Sequence, residues 1–113
     1  MEFDVAQARE IEITVTGRRS GREITHAVWF VQEGDNLDLL PVYGSSTQWF
    51  RNVLENPTIR ISAEGAQVTA QARPITDPGG VRDVEQKFRA KYGDTNVERY
   101  YPKREVAVEV SLA

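Results

Sequence analysis

The run Ile11–Thr16, IEITVT, sets apolar Ile11, Ile13 and Val15 against polar Glu12, Thr14 and Thr16. A period of two keeps apolar side chains on one face only when the chain is extended, so the segment predicts a half-buried strand. The habit returns along the chain. Residues Glu23 to Gln32 include the β-prone run Val28-Trp29-Phe30-Val31, and further strands are expected at about Leu37 to Val42, Thr58 to Ala63 and Gln67 to Ile75. At the end, Val106, Val108 and Val110 alternate with Ala107, Glu109 and Ser111. The links are short. Gly17 and Gly21 bracket one turn, Gly34-Asp35-Asn36 closes a hairpin, and Glu64-Gly65 joins another pair.

Two segments break the pattern. Trp49, Phe50, Val53 and Leu54 follow helical spacing, behind the possible N-caps Ser46 and Thr47, and Pro57 ends that helix near Asn56. Asp77 and Pro78 form an N-cap and first-turn proline. Behind them Val81, Val84, Phe88 and Tyr92 recur at helical spacing until Gly93. Asp94 to Lys103 reads as a polar loop. The expected fold is therefore mainly β, of the α+β class: a six-stranded antiparallel barrel with two helices. A parallel doubly wound sheet would need helices between most strands, and they are absent.

Length and composition narrow the functions. With 113 residues, one domain spanning the chain is expected. A hydrophobic share of 40% and a charged share of 27% are those of a globular chain. Apolar runs such as Ala27 to Val31 are too short for a transmembrane segment, and Met1 to Glu10 has no apolar core of a signal peptide. Cysteine is absent, which removes disulfides, thiolate metal sites and cysteine nucleophiles and fits a cytoplasmic location. A net charge of -3 argues against nucleic acid, and a single histidine, His26, with scattered acids argues against a metal site.

Two loops could hold an anion. In TGRRSGR, Thr16 to Arg22, glycines allow close backbone approach, while Arg18, Arg19 and the Ser20 hydroxyl offer donors matched to phosphate oxygens. The plain alternative is a solvated basic turn. It is not a P-loop, since the lysine-serine ending and the following helix are missing. The second loop, PVYGSSTQWFRN, Pro41 to Asn52, runs from a strand end into a helix N-terminus, where free amides and the dipole favour anions. Arg51 could reach the same ligand; the alternative is that Ser46 or Thr47 merely caps the helix, with Trp49 in the core. His26 shares a strand face with Val28 and Phe30 and is more readily a structural residue than a catalyst. Tyr100-Tyr101 could donate a proton or wall an aromatic substrate, or pack a loop onto the barrel.

Taken together, TGRRSGR followed by VWFVQEGDNLDLLPVYGSSTQWFRNVLENPTIRI resembles the deazaflavin-dependent nitroreductase family, whose members are similar to the pyridoxamine-phosphate-oxidase-like split barrels. The resemblance spans about Ile13 to Ile75. It implies a split β-barrel that binds coenzyme F-420 and transfers a hydride to a small organic acceptor such as a quinone or nitro compound. It implies that Arg19 binds the cofactor phosphate, with Ser20 beside it and Arg18 adjacent. It also implies that His26 and Ala27 line the deazaflavin, that Val42 to Ser46 pass its ring, and that Trp49 lies behind. A homodimer is implied as well. The family carries asparagine and proline where His26 and Ala27 stand, and a lysine near the place of Tyr43, so FMN is the alternative cofactor. The rival function is a non-catalytic barrel that binds a cofactor or fatty acid.

Overall fold

The computed structural model describes Val5 and residues 7–112. Residues 1–4, Ala6 and Ala113 lie outside that description, and with them part of the Met1 to Glu10 stretch read for a leader. The elements are β1 Ile11–Thr16, β2 Glu23–Val28, β3 Val31–Glu33, β4 Asn36–Leu39, a short 3-10 turn at Gly44–Ser46, α1 Gln48–Glu55, β5 Thr58–Ala63, β6 Ala66–Ile75, α2 Pro78–Tyr92, α3 Asp94–Tyr100 and β7 Ala107–Ser111. The strands form one antiparallel sheet in the order β2-β1-β5-β6-β7-β4-β3. It is a curled half-barrel of the split-barrel kind, with seven described strands rather than six and three helices rather than two.

The seventh strand has a definite cause. The expected strand Glu23 to Gln32 is cut at Trp29-Phe30, and its halves become the two opposite edges of the sheet. Phe30 donates its amide to the Tyr92 hydroxyl at 3.0 Å. Its carbonyl receives Lys91 Nζ at 2.9 Å and lies 2.8 Å from the same hydroxyl. Helix α2 thus supplies the partners that a sheet ladder would otherwise supply, and the chain crosses from one edge to the other without leaving backbone groups unpaired.

The third helix replaces the expected Asp94 to Lys103 loop. Gly93 breaks α2 with a left-handed φ of +93°, and the chain coils again at once. Val97 is fully buried, and Asn96 donates to the Tyr92 carbonyl at 2.8 Å. One buried valine in seven mostly polar residues is too weak a periodicity to announce a helix. By contrast, Asp77 caps α2 as expected, its side chain accepting the Gly80 amide at 2.7 Å.

Two apolar clusters sit on opposite faces of the sheet. Ile11, Ile13, Val15, Ile59, Ile61, Val108 and Val110 fill the concave side together with Trp49, Phe50 and Val53 of α1. Leu40, Val84, Phe88, Tyr92, Val97, Tyr101 and Ala107 fill the other, under α2 and α3. Strand β7 is therefore covered on both faces, which is why Ala107 is as buried as its valine neighbours. On α1 the expected fourth apolar contact, Leu54, is half exposed, and Asn52 is buried in its stead. None of the described helices is long and apolar enough to cross a membrane.

Candidate functional site

A cavity of about 670 Å³ opens where the β2 edge faces the segment between β4 and α1. His26, Ala27, Val28 and Trp29 form one wall, and Leu40, Val42, Tyr43, Ser46 and Thr47 form another. Gln48 and Trp49 of α1 lie at its base, Tyr100 and Tyr101 close one side, and Glu10 stands at the rim. The wall is mostly apolar and aromatic. Trp29 is fixed by stacking on Tyr92 at 4.4 Å and 9°, with the Arg9 guanidinium 5.1 Å from its ring centre. Tyr101 meets Phe88 edge to face at 5.6 Å.

Eight of the residues singled out in the sequence meet here: His26, Ala27, Val42, Tyr43, Ser46, Trp49, Tyr100 and Tyr101. His26 pairs with the fully buried Ile13 across the β1–β2 ladder, which turns its ring toward the concave side. Burial holds the imidazole below its ordinary value of 6.5, so it is neutral at pH 7. Its Nε2 is the one fully buried side-chain polar atom without a hydrogen-bond partner among the described residues. Tyr43 is 60% exposed at the rim, whereas Trp49 is only 5% exposed and belongs to the concave core as well as to the cavity wall.

The other five candidates lie outside the lining. In the turn after β1, the Gly17 amide donates to the Arg22 carbonyl at 2.8 Å, and Gly21 adopts φ +71°. Ser20 Oγ accepts the Arg22 amide at 3.2 Å, so its hydroxyl belongs to the turn itself. Arg18 is drawn onto α1: its amide and Nη1 donate to Asn52 Oδ1 at 3.1 and 2.8 Å, and Nη2 donates to Gln48 Oε1 at 3.0 Å. This explains the burial of Asn52, and it links the turn to the cavity through Gln48. No described carboxylate lies within ion-pair distance of Arg18, Arg19 or Arg22.

The second loop is arranged differently. Thr47 stands at the N-cap of α1, but its Oγ1 accepts the Tyr43 amide at 2.8 Å instead of capping the helix. The Ser45 amide and hydroxyl donate to Glu105 Oε1 at 3.0 and 2.8 Å, and Arg51 Nε donates to the Ser45 carbonyl at 3.2 Å. The Ser45 amide and hydroxyl hold the Glu105 carboxyl below its ordinary value of 4.5. Gly44 adopts φ +58°, and a Cβ there would stand 2.5 Å from Glu105 Oε1, so that carboxylate would have to move aside.

Sequence reasoning did not single out Gln48, Trp29 or Glu105. No local pattern marks them, because each gains its place only when distant segments meet. Trp29 alone carried a signal, as a large aromatic at the point where the strand breaks.

No protein with a curated description matches the chain. Solved structures do share its fold. An F420-H2 dependent reductase (FDR-A) superposes with a TM-score of 0.72 at 17% identity, covering 92% of this chain and 95% of that one. A domain-swapped dimer gives a TM-score of 0.72 at 18% identity, covering 92% and 80%. HutZ, the heme storage protein from Vibrio cholerae, gives a TM-score of 0.72 at 16% identity, covering 94% and 83%. Identities this low carry the fold and nothing finer. Residues 3–110 match a bacterial family described as uncharacterized protein conserved in bacteria, DUF2255, and the chain belongs to it.

Proposed function

We propose that the cavity holds a flavin-type redox cofactor, coenzyme F-420 or in its place FMN, and that the chain is an oxidoreductase acting on a small organic acceptor such as a quinone or nitro compound. The observation that carries this reading is the continuity between an aromatic-walled cavity and an arginine turn without carboxylate partners, made through Arg18 and Gln48. The cavity volume lies in the range of cofactor and small-ligand sites, roughly 300–1,000 Å³. Arg19 and Arg22 would take the phosphate, Arg18 would orient the turn, and Trp49 and Tyr43 would bracket the ring. His26, neutral and with an unpartnered Nε2, would line the ring.

The cofactor would supply the hydride; the chain's own residues would bind it, exclude water and polarise the acceptor. The same reading takes the chain as one cytoplasmic domain working as a homodimer. Strand β2 suits a subunit contact, being an edge strand with no buried residue and an exposed Ile24. Fold likeness to a reductase and to a heme storage protein supports a cofactor barrel in general. The mostly apolar wall equally suits a carrier of a cofactor or fatty acid that performs no turnover.

Side-by-side titration with coenzyme F-420 and FMN tests the proposal. One of them should bind, and Arg19→Ala should weaken that binding by about 1.5–3 kcal/mol, the worth of a charge-assisted hydrogen bond, without lowering the melting temperature. Identical curves for wild type and variant would remove the phosphate role. Binding without reduction of any quinone or nitro acceptor would leave the carrier.

A further inference from the structure

The large apolar side chains that stand exposed among the described residues are Ile24, Val42, Tyr43, Leu54 and Tyr100. Three of them, Val42, Tyr43 and Tyr100, border one cavity. Exposed apolar groups scattered singly need no explanation, whereas a cluster around one opening marks a surface that meets something.

The cations are sorted by side as well. Around α2 they are spent on carboxylates: Lys87 meets Glu33, Asp38 and Asp83, Arg89 meets Glu85, Asp94 and Glu98, and Arg104 meets Glu85. Around the opening they are not. Lys103 pairs through its backbone with Tyr43, and the Arg99 guanidinium lies 5.4 Å from the Tyr100 ring centre. Arg51 donates to the Ser45 carbonyl, and Arg18 donates to Gln48 of the cavity lining, with Arg19 and Arg22 on the same turn. None of these six has a carboxylate within ion-pair distance among the described residues. Of the acids on this side, Glu105 is engaged by Ser45, Glu98 faces Arg89, and Glu10 stands at the rim. Positive charge therefore prevails around the opening, although the chain as a whole carries -3.

We infer that the face around this opening docks on an anionic lipid membrane, with Val42, Tyr43 and Tyr100 entering the headgroup layer and Arg51, Arg99 and Lys103 meeting lipid phosphates. Tyrosine rings suit that depth, since one end is apolar and the other is wet. Each basic side chain near an anionic leaflet adds to the attraction, and neither element needs a spanning segment. An acidic protein surface would meet the same cations but would gain nothing from an apolar cavity opening between them. The inference goes beyond the proposed function, which requires no membrane.

The test is co-sedimentation of the intact chain with vesicles of phosphatidylcholine alone and of phosphatidylcholine with an equal part of phosphatidylglycerol. Wild type should bind the mixed vesicles, bind the neutral ones far less, and lose most of the binding in high salt. Lys103→Gln should weaken binding by about fivefold, the worth of one basic residue near an anionic surface. Arg82→Gln removes the same charge from an exposed position on α2 outside the cavity lining, and it should weaken binding much less. Tyr43→Ser should weaken binding severalfold, and Tyr43→Trp should restore it, because both aromatic side chains favour the interface. All three positions are exposed, so the melting temperatures should stay at the wild-type value. Absence of binding to the mixed vesicles would overturn the inference. So would equal losses in Lys103→Gln and Arg82→Gln, which would reduce the effect to overall charge, or unchanged binding in Tyr43→Ser. Binding to polyglutamate as tight as to the mixed vesicles would point to an acidic polymer and overturn the lipid assignment. The cofactor titration contains no lipid, so its outcome stands apart from all of these.

Discussion

The turn after β1 and the loop before α1 look alike in sequence, each offering glycine, hydroxyls and arginine to an anion, yet the fold treats them in opposite ways. At the Gly44–Ser46 loop the anion is already present: Glu105 occupies the Ser45 amide and hydroxyl. At the Gly17–Arg22 turn no described carboxylate approaches the arginines, and Arg18 is satisfied by the neutral amides of Asn52 and Gln48. A neutral partner fixes a guanidinium without cancelling its charge. The same local chemistry is therefore used up as structure in one place and left charged toward solvent in the other. Local motif alone could not have separated them.

The contrast can be attacked at several points. The largest effect is expected at Trp49, which ties α1, and so both loops, to the concave core. Trp49→Ala should lower stability by about 3–5 kcal/mol in chemical denaturation. An unchanged stability with lost ligand binding would show that the indole serves the ligand alone and that the loops are not anchored through it.

The left-handed glycines of these two loops, Gly21 and Gly44, give a matched comparison. At Gly21 a new Cβ meets nothing within 4 Å, so Gly21→Ala carries only the conformational strain, about 1–2 kcal/mol. At Gly44 the new Cβ would also drive Glu105 off Ser45, and Gly44→Ala should cost more, up to about 3 kcal/mol. Equal denaturation midpoints for the two variants would mean that the Glu105 contact adds nothing.

The smallest effect concerns pH. Because Ser45 holds the Glu105 carboxyl below its ordinary value of 4.5, its contribution is whole above that value and fades as pH falls through the lowered one. Glu105→Gln keeps an acceptor oxygen for Ser45 but cannot titrate. Its melting temperature should therefore lose part of the acid-side decline seen in wild type. Parallel melting curves down to acid pH would show that Glu105 does not titrate against folding.

Much of the framework was legible in the chain. Ile11–Thr16 forms β1 with the bounds its alternation suggests, and Asp77 with Pro78 opens α2 as capping chemistry requires. What escaped depended on partners far away. The break at Trp29-Phe30 is made by a tyrosine hydroxyl and a lysine from α2, and no window around residue 30 contains either. Asn52 replaced Leu54 in the interior because Arg18 donates to it, a contact across 34 positions. The site was legible in part for the same reason. His26, Ala27, Val42, Tyr43, Ser46 and Trp49 came from two segments that the resemblance had already joined. Gln48 and Trp29 had to wait for the cavity to be closed around them.

The crossing at Phe30 has one more consequence. Its amide and carbonyl both meet the Tyr92 hydroxyl, which also lies 2.8 Å from the Arg9 carbonyl. Three strands of the story, the incoming amino-terminal stretch, the sheet margin and the long helix, thus share a single phenol. Shifting any one of the three would strain or break bonds held by the other two, so the point where the chain leaves one sheet edge for the other is pinned from three directions.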